Sequence, residues 1–334
     1  MLDSFYLRQA LEKAWQYQLL TYPNPAVGCL IAHNGRIVAL EAHQKAGTSH
    51  AEVLALVRAY ETMSGKRVAF DPFDAIQAHD FLRTLPKGFF ASCEVYVTLE
   101  PCAHRGKTPS CASLLAYLKP RRVIIGTADP VAGHGGGAQM LRDAGIAVTI
   151  GVEEATCRDV IAPFLIWQER AFVLFKLAQT LNGRIGGGYI SSQASLTHVH
   201  RLREVCDTLL IGGDTVRTDR PTLDCRLTGG KAPDVHILTR RDDIDRTIPL
   251  FGVPGRNVTV GASLDFLDAP GFVLVEGGEG MLKRLEGRID WMLTYIAPKL
   301  SCNSLSYNID TQTRFVHMQR NETDILIWSA WRGD

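Results

Sequence analysis

Apolar positions along the chain fall into two successive series of helical and extended segments. "MLDSFYLRQALEKAWQYQLL" at residues 1–20 places charges inside a helical apolar repeat, which predicts an amphipathic helix. "AVGCLIA" from Ala26 and "RIVALEA" from Arg36 flank His33-Asn34-Gly35, and an Asn-Gly pair between apolar runs predicts an antiparallel hairpin. From His50 "HAEVLALVRAY" reads as a helix, "EVYVTL" as a buried strand, "SCASLLAYL" as a helix and "RRVIIGT" as another strand. "GGAQMLRDAG" and "IAVTIGV" extend the alternation, so residues 1–152 are expected to form a layered α/β domain. Residues 153–170 read as a linker, after which "FVLFKLA", "TLLIGG", "VHILT", "FVLVEGG" and "WMLTYIAP" supply strands for a second α/β domain, 171–334. Residues 61–92 form an insert in the first domain. Within it "FDAIQAHDFLRTL" predicts a short surface helix with a solvated His79, and a role as lid or contact surface stays open.

Composition changes this picture little. A chain of 334 residues suits two domains, and 46% hydrophobic with 21% charged residues is the balance of a soluble globular protein. A net charge of +1 provides no global field for gathering a nucleic acid or a membrane surface. No run of eighteen apolar residues suggests a membrane span, and the charged first helix is unlike a secretory leader, so a cytoplasmic location is expected. In a reducing compartment the eight cysteines are expected to be thiols or metal ligands. Cys29, Cys157, Cys206, Cys225 and Cys302 sit in apolar or mixed runs and read as small buried hydrophobes, whereas Cys102 and Cys111 need another account.

That account begins with "HAE". His50 and Glu52 are two residues apart and would diverge on a regular helix, but at a helix start both can reach over the end of the axis. Thr108 and Pro109 read as an N-cap and a first helical residue, which puts Cys111 in the first turn, where the helix dipole favours a thiolate. Cys102, in "EPC", follows a strand end on the same side of the sheet. One imidazole and two thiolates leave a fourth position on tetrahedral zinc, where water becomes acidic enough to act as hydroxide near neutral pH. Glu52, beside that water and not a ligand, can carry its proton to a ring nitrogen and then to departing ammonia, which is hydrolytic deamination.

"NPAVGCLI", "HAEV" and "VTLEPCAHRGKTPSC" resemble the deaminase half of the bifunctional riboflavin-biosynthesis deaminase/reductases. General cytidine and adenosine deaminases have two residues between their cysteines; the eight here are similar to the riboflavin branch. The resemblance implies a cytidine-deaminase-like three-layer domain, with His50, Cys102 and Cys111 as Zn2+ ligands and Glu52 as catalytic proton shuttle. It places Asn24, His43 and Lys107 at the substrate, with Asn24 reading the amide edge of a pyrimidine and Lys107 meeting a sugar phosphate.

The second half, "FVLFKLAQTLNGRIG" through "TVRTDRPTLDCR" to "FVLVEGGEGMLKRL", is similar to the reductase half of the same family. A dihydrofolate-reductase-like domain using NADPH is implied. Thr215, Asp219, Gly278 and Gly280 then fall at cofactor positions, and Lys176, Arg203, Leu223, Arg226 and Glu276 at substrate positions. The arginines suit a two-bond clamp on a ribose phosphate. Asn182 replaces a usual aspartate, Gly187 a serine and Tyr189 a tryptophan. Those departures leave two alternatives open: a deaminase whose second domain only binds substrate or mediates oligomerisation, and a nucleic-acid-editing deaminase, which the near-neutral charge and cysteine spacing oppose. A small-molecule pyrimidine ribosyl phosphate is the expected partner, without nucleic acid or membrane, and a homo-oligomer stays open.

Overall fold

The computed structural model describes residues 2–104, 109–131, 135–186 and 188–331. The chain divides into two units, Met1–Leu165 and Ile166–Asp334. Both are α/β, as the alternation implied.

In the first unit, α1 (Leu2–Trp15) precedes a hairpin of β1 (Gly28–His33) and β2 (Arg36–Ala42). Asn34 and Gly35 both have positive φ, 50° and 74°, the conformation an Asn-Gly hairpin turn demands. Next come α2 (Ala51–Ser64), α3 (Ala75–Thr84), β3 (Cys93–Leu99), α4 (Cys111–Leu118), β4 (Arg122–Thr127), α5 (Gly137–Asp143), β5 (Ala147–Ile150) and α6 (Glu154–Trp167). The sheet order is β2-β1-β3-β4-β5; β1 runs antiparallel to both neighbours and β3, β4 and β5 are parallel.

Strand alternation separates two layers of core. Ile31, Val95, Val97, Val123 and Ile125 pack with the apolar faces of α2, α3 and α4. On the opposite face the Tyr96 ring lies 5.0 Å from that of Tyr6 on α1. A Cβ at Gly28 would stand 1.9 Å from the Ala10 carbonyl oxygen, so glycine is what lets α1 rest directly on β1.

The insert departs from its expected character. Its helix α3 has a polar outer face, yet Ala78, Leu82, Leu85 and Phe90 join the core shared by α2 and α4. His79, expected to be solvated, is buried. The stretch 153–170 is mostly the helix α6. Cys29, Cys157, Cys206 and Cys225 are buried as expected, and so is Cys93; Cys302, expected to be buried, is exposed in the irregular segment 299–313.

The second unit contains β6 (Ala171–Thr180), α7 (Gln193–Val205), β7 (Thr208–Gly212), α8 (Gly213–Asp219), β8 (Asp234–Leu238), β9 (Val258–Gly261), β10 (Gly271–Glu276), α9 (Glu279–Arg284), β11 (Trp291–Ala297), β12 (Arg314–Asn321) and β13 (Asp324–Ala330). Its sheet runs β12-β13-β11-β6-β10-β7-β8-β9, parallel from β11 to β9 and closed by the antiparallel β13 and β12. The sequence pattern did not signal β9, β12 or β13: β12 is amphiphilic at the sheet edge, and only β13 carries a buried alternation. Among the described residues no helix is long and apolar enough to cross a membrane.

Candidate active site

In the first unit the carboxyl end of β3 and the amino ends of α2 and α4 meet. His50 is the N-cap of α2 and its side chain makes no capping bond, which leaves the ring to point away from the helix. Glu52, in the first turn, is 4% exposed. Cys111 is the first residue of α4, as the first-turn expectation required, but the cap is Ser110, whose hydroxyl accepts from the Ser113 N–H; Pro109 precedes the cap. Thr108 and Lys107 lie outside the described residues.

His50 Nδ1 is 3.5 Å from Cys111 Sγ and 3.9 Å from Cys102 Sγ. The three ligand atoms lie within 4.8 Å of one another. Tetrahedral zinc with Zn–N and Zn–S bonds of about 2.0 and 2.3 Å separates nitrogen from sulfur by about 3.5 Å, so the donor set fits this metal in both identity and spacing. The Cys111 backbone N–H reaches Cys102 Sγ at 3.3 Å. Hydrogen bonds from Cys111, together with His50, pull the Cys102 thiol down to about 4, the thiolate form a metal takes. Burial pushes the Glu52 carboxyl above its ordinary range.

A cleft of about 380 Å³ opens over these groups, lined by Asn24, His43, His50, Glu52 and Cys102 together with Glu100, His104 and Asp129. His43 is 3% exposed, and burial followed by the nearby His50 lowers it to about 4. Its Nδ1 lies 3.1 Å from the Ser49 carbonyl oxygen, which can only accept, so Nδ1 carries the proton and Nε2 accepts from the Asn24 amide at 3.0 Å. Sequence reasoning missed Glu100. Its carboxylate accepts the backbone N–H groups of Asp129 (3.1 Å), Gly136 (3.0 Å) and Ala138 (2.9 Å), tying down the wall of the cleft. The only signal was its place in "LEPC", which draws attention to the cysteine.

In the second unit a cleft of about 550 Å³ lies at the carboxyl ends of β7, β8 and β10, where parallel sheets bind ligands. Of the four expected cofactor residues, Thr215, Gly278 and Gly280 line it; Asp219, at the far end of α8, does not. Gly212, Gly213, Thr239, Arg240 and Arg241 also line it and were not singled out. The glycine pair at the end of β7, in "TLLIGG", was their one sequence signal. A Cβ on Gly213 would meet the Thr239 side chain at 2.7 Å.

Lys176 and Glu276 are register partners on β6 and β10. Arg203 donates from Nε and Nη2 to the two Glu276 oxygens at 2.7 and 2.9 Å, and from Nη1 to the Asp224 carbonyl at 3.2 Å. The two-bond face expected to clamp a phosphate is therefore engaged by Glu276. Burial opposes charge on Glu276, yet Arg203 and Lys176 bring its carboxyl down to about 2. Leu223 has φ 55°, and its carbonyl accepts from Arg256 at 2.7 Å; Arg226 pairs with Asp224 at 2.9 Å. Tyr189 is 76% exposed, and Gly187 lies outside the described residues.

Residues 1–127 match the family model for the cytidine and deoxycytidylate deaminase zinc-binding region, and residues 171–326 match that for the RibD C-terminal domain. The riboflavin biosynthesis protein RibD of Aquifex aeolicus is 34% identical over 257 residues, 75% of this chain and 64% of that protein, so less than two thirds of its length is spanned. The Mycobacterium tuberculosis RibD is 32% identical over 310 residues, 87% of this chain and 84% of the relative. Among solved structures, Acinetobacter baumannii RibD superimposes with TM-score 0.67 at 26% identity, covering 99% of both chains. A diaminohydroxyphosphoribosylaminopyrimidine deaminase/5-amino-6-(5-phosphoribosylamino)uracil reductase from Thermotoga maritima gives TM-score 0.68 at 25% identity, again over 99% of both chains. Fold and donor set together define a cytidine-deaminase-type zinc module followed by a separate α/β module. The chain belongs to the RibD family of riboflavin-biosynthesis proteins.

Proposed function

We propose that the chain is a cytoplasmic two-step enzyme of riboflavin biosynthesis. Residues 1–152 hydrolytically deaminate a diaminopyrimidine carrying a ribosylamino 5′-phosphate, and residues 171–334 reduce its ribosyl group to ribityl with NADPH. Residues 153–170 join the two. The substrate is a small molecule and not a nucleic acid.

His50, Cys102 and Cys111 hold the metal. Zinc, when bound there, supplies the Lewis acidity that makes water a nucleophile near neutral pH. Glu52 moves the protons: its buried carboxyl, with a raised affinity for protons, takes one from the attacking water and gives it to the ring nitrogen, then takes a second from the newly added hydroxyl and gives it to the amino group, which leaves as ammonia as the C–N bond breaks. Because His43 accepts an N–H from Asn24, the Asn24 carbonyl oxygen is left to face an N–H on the pyrimidine edge. Lys107 meets the phosphate.

In the reductase step NADPH supplies the reducing equivalent from the cleft lined by Thr215, Gly278 and Gly280. Arg226, Leu223 and Lys176 orient the sugar phosphate. Arg203 contributes by holding Glu276 ionised and fixed.

The observation that carries this reading is the meeting of one imidazole and two sulfurs beside a buried glutamate in a cleft. Ammonia release and NADPH oxidation by the purified protein test the two steps, with Glu52→Ala as control. That variant is expected to retain zinc and lose ammonia release. Undiminished release rejects the shuttle, and accumulation of a deaminated ribosyl compound in the presence of NADPH rejects the second step.

A further inference from the structure

Two of the three metal donors, His50 and Cys111, sit at the starts of two separate helices, so their spacing depends on what links α2 to α4. His50 caps α2 without a side-chain bond, which leaves that turn without the usual anchor. The residue before it supplies one. Ser49, fully buried, donates from its backbone N–H to the Phe73 carbonyl at 3.0 Å and from its hydroxyl to the Pro72 carbonyl at 2.7 Å. Its own carbonyl accepts from His43 at 3.1 Å. Pro72 and Phe73 belong to the 61–92 insert, immediately before α3.

The other end of the same insert grips α4. Arg83 donates to Ser113 Oγ at 3.0 Å and lies 5.1 Å from the centre of the Tyr117 ring. Ser113 Oγ donates on to the Ser110 carbonyl at 3.2 Å, and Ser110 Oγ to the Cys102 carbonyl at 2.8 Å. Tyr117 donates to the Leu85 carbonyl at 2.8 Å. A hydrogen-bonded path thus runs from α3 to the backbone of Cys102 and to the cap of the helix that begins with Cys111.

We propose that the 61–92 insert is a brace for the metal and pyrimidine sites, with Ser49 and Arg83 as the positioning residues through which it fixes the first turns of α2 and α4. The brace explains why a segment that carries no chemistry of its own is packed into the core beside both helices. Partners that orient ligands from outside the coordination sphere typically change metal affinity by about 10- to 100-fold.

This inference rests on the deaminase reading only for the identity of the metal, and the experiment separates the two. Zinc affinity is measured on the full chain by competition with a chromophoric chelator, and ligand geometry by the d–d absorption of the cobalt-substituted protein. Ser49→Ala and the surface variant Arg83→Ala are each expected to weaken zinc binding by about 10-fold and to alter the cobalt spectrum. Tyr6→Phe is the control: it gives up a 2.8 Å bond to the Gly35 carbonyl, on the other face of the sheet, and is expected to leave both readouts unchanged. Wild-type affinity in both Ser49→Ala and Arg83→Ala overturns the brace alone, as does an equal loss in Tyr6→Phe, which would make the effect one of general stability. A wild-type chain that binds no zinc overturns the deaminase reading and the brace with it.

Discussion

Arg203 and Glu276 face each other across two hydrogen bonds, 2.7 and 2.9 Å, in a place where both side chains are largely shielded from solvent. Such a pair contributes little beyond a well-packed apolar replacement, but removing one member strands the other. Arg203→Met is therefore expected to destabilise the second unit by about 3–5 kcal/mol, read as a lower midpoint in urea. Arg203→Met combined with Glu276→Leu should recover much of that loss. An unchanged midpoint in the single variant would show that Glu276 finds solvent or another cation.

Asn182, where the family resemblance leads one to expect aspartate, has its own partners. Its amide nitrogen donates to the Ser301 carbonyl at 2.8 Å, and its oxygen accepts from the Ser301 N–H at 3.1 Å and the Thr180 hydroxyl at 2.7 Å. Aspartate keeps the acceptor but places a second oxygen against a carbonyl. Asn182→Asp should cost about 1–2 kcal/mol and speed amide exchange across residues 299–303, measured by mass spectrometry. Exchange at the wild-type rate would remove this role. The amide is thus matched to the loop it joins.

Gly137 tests the wall of the first cleft. A Cβ there would stand 1.9 Å from the Pro101 carbonyl oxygen, beside Cys102. Gly137→Ala forces the backbone apart and is expected to cost about 1–3 kcal/mol, with a fall in zinc content on purification. Metal analysis and thermal unfolding together check this; full zinc occupancy at wild-type stability contradicts it.

Acid should weaken the first unit through Glu94. Arg122, at 2.8 Å, and Arg121 hold its carboxyl down at about 2, below the ordinary value of 4.5. A carboxylate with a depressed folded-state pKa lends stability that is complete above its unfolded value and is lost as pH falls through the folded one. Glu94→Gln should therefore be less stable than wild type at pH 7, and the gap should close on acidification from about 4.5 toward 2. A gap that is the same at both ends of the titration would rule out this source.

The sequence by itself determined the elements with a strong local signature and the chemistry of the first site. The Asn34-Gly35 turn, the buried β3 and β4 runs, the helix start at His50 and the place of Cys111 in a first turn are local facts, written in turn preference and apolar period. The donor set was legible because a metal selects residue types, and His50, Cys102 and Cys111 stand at element ends that face the same side of a sheet. Tertiary structure alone decided what those side chains lean on. That Arg203 is engaged by Glu276, that Glu100 pins three backbone N–H groups and that the insert reaches both α2 and α4 all depend on contacts between segments far apart in the chain. Periodicity reports which face of an element is apolar, whereas the partner of a polar group is fixed only when the strands have paired and the helices have packed.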